Sequence, residues 1–239
     1  MENLNSKRIA KNTIFLYIRM IFVMAVTLYT SRVILHILGV EDFGIYNIVG
    51  GLVSMFMLIS GSLSDCVSRF LTIEIGRNDE EHLNKVFITS INVHIILTLV
   101  VFIAIETIGL WFLNSKMNIN PNKLYAANWV FQFSMLTFIV NILSIPYNAM
   151  IVAYEKMGIY AYISIIEVVC KLVVCYLLLF TEERLILYSI LLFLIALVLR
   201  LIYGLYCRRQ FEASKYSWYW DKCIIKEMFG FASWNFLVI

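Results

Sequence analysis

The chain is built from apolar runs that are too long to be core segments of an ordinary globular domain. A helix rises about 1.5 Å per residue, so about 20 consecutive apolar residues cross the ~30 Å hydrocarbon layer of a bilayer. Six stretches reach or approach that length: 12–32, 44–75, 86–113, 124–153, 157–180 and 185–207. A seventh opens at 226 and runs to the last residue. The alternating segments of about ten residues that a membrane β-barrel needs are absent from the sequence. The expected fold is therefore all-α and multi-pass, with six transmembrane helices and the start of another. Composition agrees, at 62% hydrophobic and only 15% charged residues in 239, against about 45–50% and about 25% in soluble domains.

The breaks between runs are polar: Glu41-Asp42, Arg77 to Glu81, Asn114-Ser115-Lys116, Asn118 to Lys123, Glu155-Lys156 and Thr181 to Arg184. Lys7, Arg8 and Lys11 precede the first run, and no small-residue cleavage site follows it, so that run reads as a retained anchor. Lysine and arginine concentrate on the cytoplasmic side of membrane proteins. With the N-terminus inside, that side holds Lys7, Arg8, Lys11, Arg77, Lys85, Lys156, Arg208, Arg209, Lys215, Lys222 and Lys226. The other side holds only Arg32, Lys116, Lys123 and Arg184. The expected orientation is N-terminus cytoplasmic.

Three segments follow: a six-helix bundle over 1–207, a cytoplasmic interfacial linker over 208–225, and the start of a second bundle over 226–239. The linker is basic and aromatic (Arg208, Arg209, Phe211, Tyr216, Trp218, Tyr219, Trp220), which suits the inner headgroup layer. Phe236 to Ile239 lie inside an apolar run without flanking charge, so the chain is expected to be a fragment of a longer protein.

Several function classes are set aside by what the sequence lacks. Cys66, Cys170, Cys175, Cys207 and Cys223 form no CxxC pair, and His36, His82 and His94 share no ligand spacing with them. No disulfide framework, metal site or cofactor is expected. The net charge of +3 arises at helix ends, so no nucleic-acid partner is expected.

Polar side chains inside a span usually face the bundle interior. In the fourth span Ser134, Thr137, Asn141, Ser144 and Asn148 recur at spacings of three and four, which places them on one helical face. The stripe is wider than helix–helix contact requires, and it reads as a cavity wall. Pro146 interrupts that helix and removes one backbone donor. The second span carries Asn47, Gly51, Ser54, Gly61, Asp65, Ser68 and Thr72, with Leu58 interrupting. Helix packing and cavity lining remain equally open for that stripe. The fifth span carries Tyr160, Ser164, Glu167 and Lys171.

Charge inside a span costs about 2.5–3.5 kcal/mol per residue at a helix centre. Arg19, Glu167, Lys171 and Arg200 are placed near mid-membrane. Glu167 and Lys171, four apart, are expected to pair. Asp65 and Arg69 are also four apart and form a cytoplasmic rim, and Glu106 lies in the outer half of its span. Arg19 and Arg200 have no acidic neighbour one turn away, so they either snorkel to the inner surface or bind an anion. Arginine's planar fork of donors matches phosphate.

The N-terminal block Lys7-Arg8-Ile9-Ala10-Lys11-Asn12-Thr13, Arg19 in its helix, Ser31-Arg32-Val33-Ile34, and above all Leu38-Gly39-Val40-Glu41-Asp42-Phe43-Gly44-Ile45-Tyr46 resembles the Wzx-like polysaccharide flippases of the MOP exporter superfamily. Gly50-Gly51, Asp65 to Phe70 and Lys226 to Phe236 extend the resemblance over nearly the whole chain. It implies one six-helix half of a MATE/MOP-like fold of two halves around a central cavity. It implies a transporter, not an enzyme, in the bacterial cytoplasmic membrane. The implied substrate is a polyprenyl-diphosphate-linked oligosaccharide, an O-antigen or capsule repeat unit. The implied partners are that glycolipid, membrane lipids, and polysaccharide polymerase and export proteins.

On this resemblance, Arg19, Arg200 and Lys171 grip the diphosphate. Ser134, Thr137, Asn141, Ser144, Asn148, Asn47 and Ser54 line the cavity, and Glu167 or Glu106 couples to an ion gradient. The competing readings are a multidrug or cation extruder, a lipid II flippase of the same fold, and a membrane-embedded glycosyltransferase or polymerase.

Overall fold

The computed structural model describes residues 2–231 apart from 56, 182, 216–218, 223 and 229, with side chains from 13 onward except 57–60 and 62. Of the positions singled out above, Glu182, Tyr216, Trp218, Cys223 and 232–239 lie outside the described residues, as do the side chains of Lys7, Arg8, Lys11 and Leu58. The described residues are helical throughout apart from short connections: α1 (Glu2–Ser54), α2 (Met57–Arg77), α3 (Glu80–Ala104), α4 (Leu110–Ser115), α5 (Leu124–Ala153), α6 (Met157–Leu177) and α7 (Arg184–Gln210). A π-helical turn, Ile105–Gly109, joins α3 to α4.

Among the described residues five stretches are long and apolar enough to cross a bilayer: Thr13–Ser54, Glu80–Ser115, Pro121–Ala153, Met157–Phe180 and Arg184–Gln210. The chain is a multi-pass membrane protein. Its outer surface is correspondingly greasy, with Leu28 66%, Ile108 62% and Phe180 86% exposed.

The count differs from the six expected spans because the first two are joined and the second is split. A straight helix of 42 residues would be about 63 Å long, roughly twice the hydrocarbon thickness. Gly39 breaks it, with φ 78° and ψ 170°, a backbone region open essentially to glycine alone. The chain reverses there. Before the break, Arg19 lies against Tyr160 and Tyr29 against Tyr176, so this arm runs parallel to α6. After it, Tyr46 meets Tyr188, and Val53 and Ser54 share a hollow with Thr137 and Asn141. The second arm therefore runs alongside α5 and α7. The reversal is clamped from two sides. Arg184 Nη1 donates to the Ile37 carbonyl (3.0 Å), and Lys123 Nζ pairs with Asp42 (2.7 Å). The expected break at Glu41-Asp42 is thus the start of a helical arm, with its polarity used in a clamp. The expected span 44–75 ends at Ser54 and resumes as α2 at Met57, and α2 is not among the five apolar stretches.

α5 is the hub, packed against α1, α2, α3, α6 and α7. Tight contact rather than water exclusion holds helices together in lipid. Gly109 shows this: a Cβ there would stand 2.6 Å from Phe131 Cζ, and Phe131 is fully buried. Contrary to expectation, Pro146 does not interrupt α5, which runs on from Leu124 to Ala153 with Pro146 buried inside it.

The linker also departs from expectation. Phe211 does not lie out on a surface; it is 5% exposed and stacks on Tyr154 with ring centroids 4.2 Å apart. Two asparagines of α3 hold the linker by its carbonyls. Asn84 Nδ2 donates to Ala213 (2.7 Å) and Lys215 (2.9 Å), and Asn92 Nδ2 donates to Tyr219 (2.9 Å). Backbone carbonyls without a helical or sheet partner need donors from elsewhere, and α3 supplies them.

Candidate substrate cavity

α5, α6 and α7 enclose a polar cavity of about 410 Å³ together with the first arm of α1 and Tyr46 of the second. The fourth-span stripe forms one wall: Thr137, Asn141, Ser144 and Asn148 all line it, while Ser134 faces an adjoining hollow of about 130 Å³. The fifth-span residues Tyr160, Ser164, Glu167 and Lys171 form the opposite wall. Their spacing is the reason, since residues three and four apart share a face.

Arg19 enters this cavity from α1. Its guanidinium carbon sits 4.4 Å from the centroid of the Tyr160 ring, and its Nε is buried with no acceptor. Among the described residues Arg19 forms no ion pair. Across the cavity the Asn148 Oδ1 is likewise buried and unpartnered. A cavity that leaves both a buried donor and a buried acceptor open is unlike a packed interface, where such groups find partners. Arg19 is level with Tyr160, three residues into α6, so it sits about 5 Å from that helix end along the axis. It thus lies toward the end of the bundle that carries the Glu155-Lys156 turn.

Glu167 and Lys171 pair with each other, Lys171 Nζ donating to Glu167 Oε1 at 2.6 Å. Both side chains keep about a third or more of their surface exposed (41% for Lys171, 34% for Glu167), so the pair remains open to the cavity. Two cations and one carboxylate therefore face it.

The other expected site residues are elsewhere. Arg200 does not line the cavity; its guanidinium stacks on Tyr147 with 3.9 Å to the ring centroid. The face it occupies on α7 turns toward α5, and the ring of Tyr147 takes the charge. The Asn47 amide donates to its own helix at the Phe43 carbonyl and is not a lining residue. Ser54 borders the smaller hollow. Glu106 lies within the π-helical turn, away from both compartments. Arg69 covers the Phe231 ring at 4.4 Å, beside exposed Asp65.

Sequence reasoning passed over Tyr46, Tyr188, Tyr203 and Ser189. Tyr188, Leu192, Ile195, Leu199 and Tyr203 line the cavity at helical spacing along α7. Tyrosines at both ends of one face in an otherwise aliphatic run were the available signal. Tyr203 stands among Arg19, Tyr160, Ser164 and Glu167, and Tyr46 and Tyr188 form an edge-on pair with centroids 4.9 Å apart.

The fold and cavity define a helical membrane protein with a polar, partly charged chamber between its spans. Solved structures with the same fold include two that their descriptions call transporters. They include a multidrug resistance MATE family transporter of the MOP superfamily in an outward-facing conformation (15% identity, TM-score 0.78). They also include a MOP superfamily transporter from Pyrococcus furiosus, described by a reverse polarity of its binding pocket that suggests a different function (13%, TM-score 0.75). The crystal structure of a MATE mutant is a third (16%, TM-score 0.75). Each match covers 95% of this chain and 52% of the other, so the chain spans about half the length of these proteins. No curated protein matches it. Residues 9–237 match the family described as Polysaccharide biosynthesis protein, and the chain belongs to that family.

Proposed function

We propose that this chain forms the first bundle of a flippase that carries a polyprenyl-diphosphate-linked oligosaccharide from the inner to the outer leaflet of the bacterial cytoplasmic membrane. The observation that carries the reading is Arg19, whose half-buried guanidinium, with its Nε unpartnered, opens into a polar cavity and forms no ion pair among the described residues. Membership in a polysaccharide-biosynthesis family and a transporter fold support it. Arg19 takes the diphosphate, as a planar cation with bidentate geometry toward phosphate. Lys171 adds a second charge, held in reserve by Glu167. The hydroxyls and amides of α5 meet the glycan, and the prenyl tail stays in lipid. No covalent bond is made or broken, so the chain acts as a carrier and not as an enzyme. Glu167 couples ion binding to anion release, because an ion taken up by its carboxylate would free Lys171 from their pair. The N-terminus lies in the cytoplasm, and polymerase and export proteins take over the product.

The test is deletion of the gene for the full-length protein, with lipid-linked glycan measured on each face of the membrane. Accumulation on the inner face, reversed by the intact gene, is the expected result. Glycan reaching the outer face at wild-type levels, with efflux of cationic dyes lost instead, would replace this reading with a cation extruder.

A further inference from the structure

The smaller hollow differs in chemistry from the cavity it adjoins, although the two share Tyr46, Thr137, Asn141 and Leu192. None of its lining residues is charged. Three of its hydroxyls have their protons committed. Ser54 Oγ donates to the Gly51 carbonyl (2.8 Å), Thr137 Oγ1 to Phe133 (2.7 Å) and Ser189 Oγ to Ile186 (2.7 Å). A hydroxyl has one proton and two lone pairs. With the proton spent on its own helix, each of these three presents acceptor oxygen. Ser134, the Tyr46 hydroxyl and the exposed Asn141 amide, at the joint between compartments, complete a polar but uncharged lining. A phosphate would leave water here with no cation to meet it. A group with many O–H donors and no charge is the complement. Gly50 forms part of the floor, with open space where a side chain would stand, and the Tyr46 and Phe138 rings flank it. Apolar rings with a few placed polar atoms are the usual means of orienting a small polar ligand.

We infer that this hollow is a subsite for one uncharged sugar ring, the one nearest the diphosphate, separate from the cationic compartment around Arg19. The inference rests on the flippase reading and adds a direction to it. The diphosphate lies between Arg19 and Lys171, and the glycan extends toward Tyr46 and Tyr188. It also adds a selection rule: a carrier whose first sugar is a uronic acid is disfavoured, because its carboxylate would leave water with no cation in the hollow to meet it.

The experiment uses the full-length protein in detergent and three probes: geranyl diphosphate, geranyl diphosphate bearing one neutral N-acetylhexosamine, and the same bearing a uronic acid. The neutral sugar should tighten binding about tenfold over the bare carrier, the worth of one net hydrogen-bonded contact or a little more, and the uronic acid should not. Gly50→Leu fills the hollow where the fold has room, and it should erase the sugar-dependent gain while leaving the bare carrier's affinity in place. Thr137→Val, which keeps the volume and removes one acceptor, should reduce the gain in part. A gain that survives Gly50→Leu, or a uronic acid that binds as well as the neutral sugar, overturns the subsite and leaves the flippase reading standing. Failure of all three probes to bind the wild-type protein overturns both.

Discussion

Replacing Arg19 by alanine in the full-length protein separates binding from folding. Among the described residues the guanidinium stacks against the Tyr160 ring at 4.4 Å, a contact worth about 0.5–2 kcal/mol. Against this stands a buried Nε with no acceptor, whose desolvation costs about 1–3 kcal/mol. The two nearly cancel, so Arg19→Ala should leave the protein folded, with a melting temperature within about 4 °C of wild type. Ligand binding should suffer far more. A bidentate, charge-assisted contact to a diphosphate is worth about 3 kcal/mol, which is on the order of 100-fold in affinity. Arg19→Lys keeps the charge and loses the fork, so about a tenfold loss is expected. The assay is binding of geranyl diphosphate to the purified protein, paired with surface glycan at matched protein levels in cells. Alanine-variant affinity within about twofold of wild type, with normal glycan display, would refute the assignment. A collapse of the melting temperature would show instead that the guanidinium supports the fold and that the two contributions do not cancel.

Glu167→Gln frees Lys171 from its 2.6 Å partner and should tighten geranyl diphosphate binding several-fold while slowing release, seen as a lower glycan export rate; unchanged binding would remove the pair from the site. Gly109→Ala places a methyl 2.6 Å from Phe131 Cζ and should cost about 1–3 kcal/mol by overpacking, measured as thermal unfolding in detergent. Phe131→Leu in the same chain should recover part of that, giving a double-mutant coupling of about 0.5 kcal/mol or more. Asn84→Leu strips two linker carbonyls, of Ala213 and Lys215, of their donor; protease sensitivity over 211–221 should rise, whereas an unchanged digestion pattern would mean that the Phe211–Tyr154 stack and the Asn92 bond to Tyr219 suffice to hold the linker.

The departures between sequence and structure have identifiable causes. The α5 and α6 stripes were legible because a helix repeats every 3.6 residues, so spacing alone maps residues to a face. The same local logic gave the Glu167–Lys171 pair. Arg200 was misplaced because its spacing says nothing about which neighbour its face meets, and that neighbour is Tyr147. The reversal at Gly39 was read as a polar break, since a mostly apolar stretch before it and a carboxylate pair after it look the same whether the chain loops or kinks. The α7 tyrosines escaped notice because tyrosine in a span also suits a lipid surface.

Run length and residue spacing are enough to establish that this chain is helical, that it crosses a membrane repeatedly, and which residues share each helical face. Those follow from lengths and periods set by covalent geometry and by the expense of unpaired backbone in lipid. How the helices are turned about their axes emerged from the packed bundle. That rotation brought Arg19 of α1 to Tyr160 of α6 and Tyr203 of α7, sent Arg200 away from them, and left an uncharged hollow beside a charged one. It is settled by side-chain packing between residues distant in the chain, such as Phe131 against Gly109, which no local period encodes.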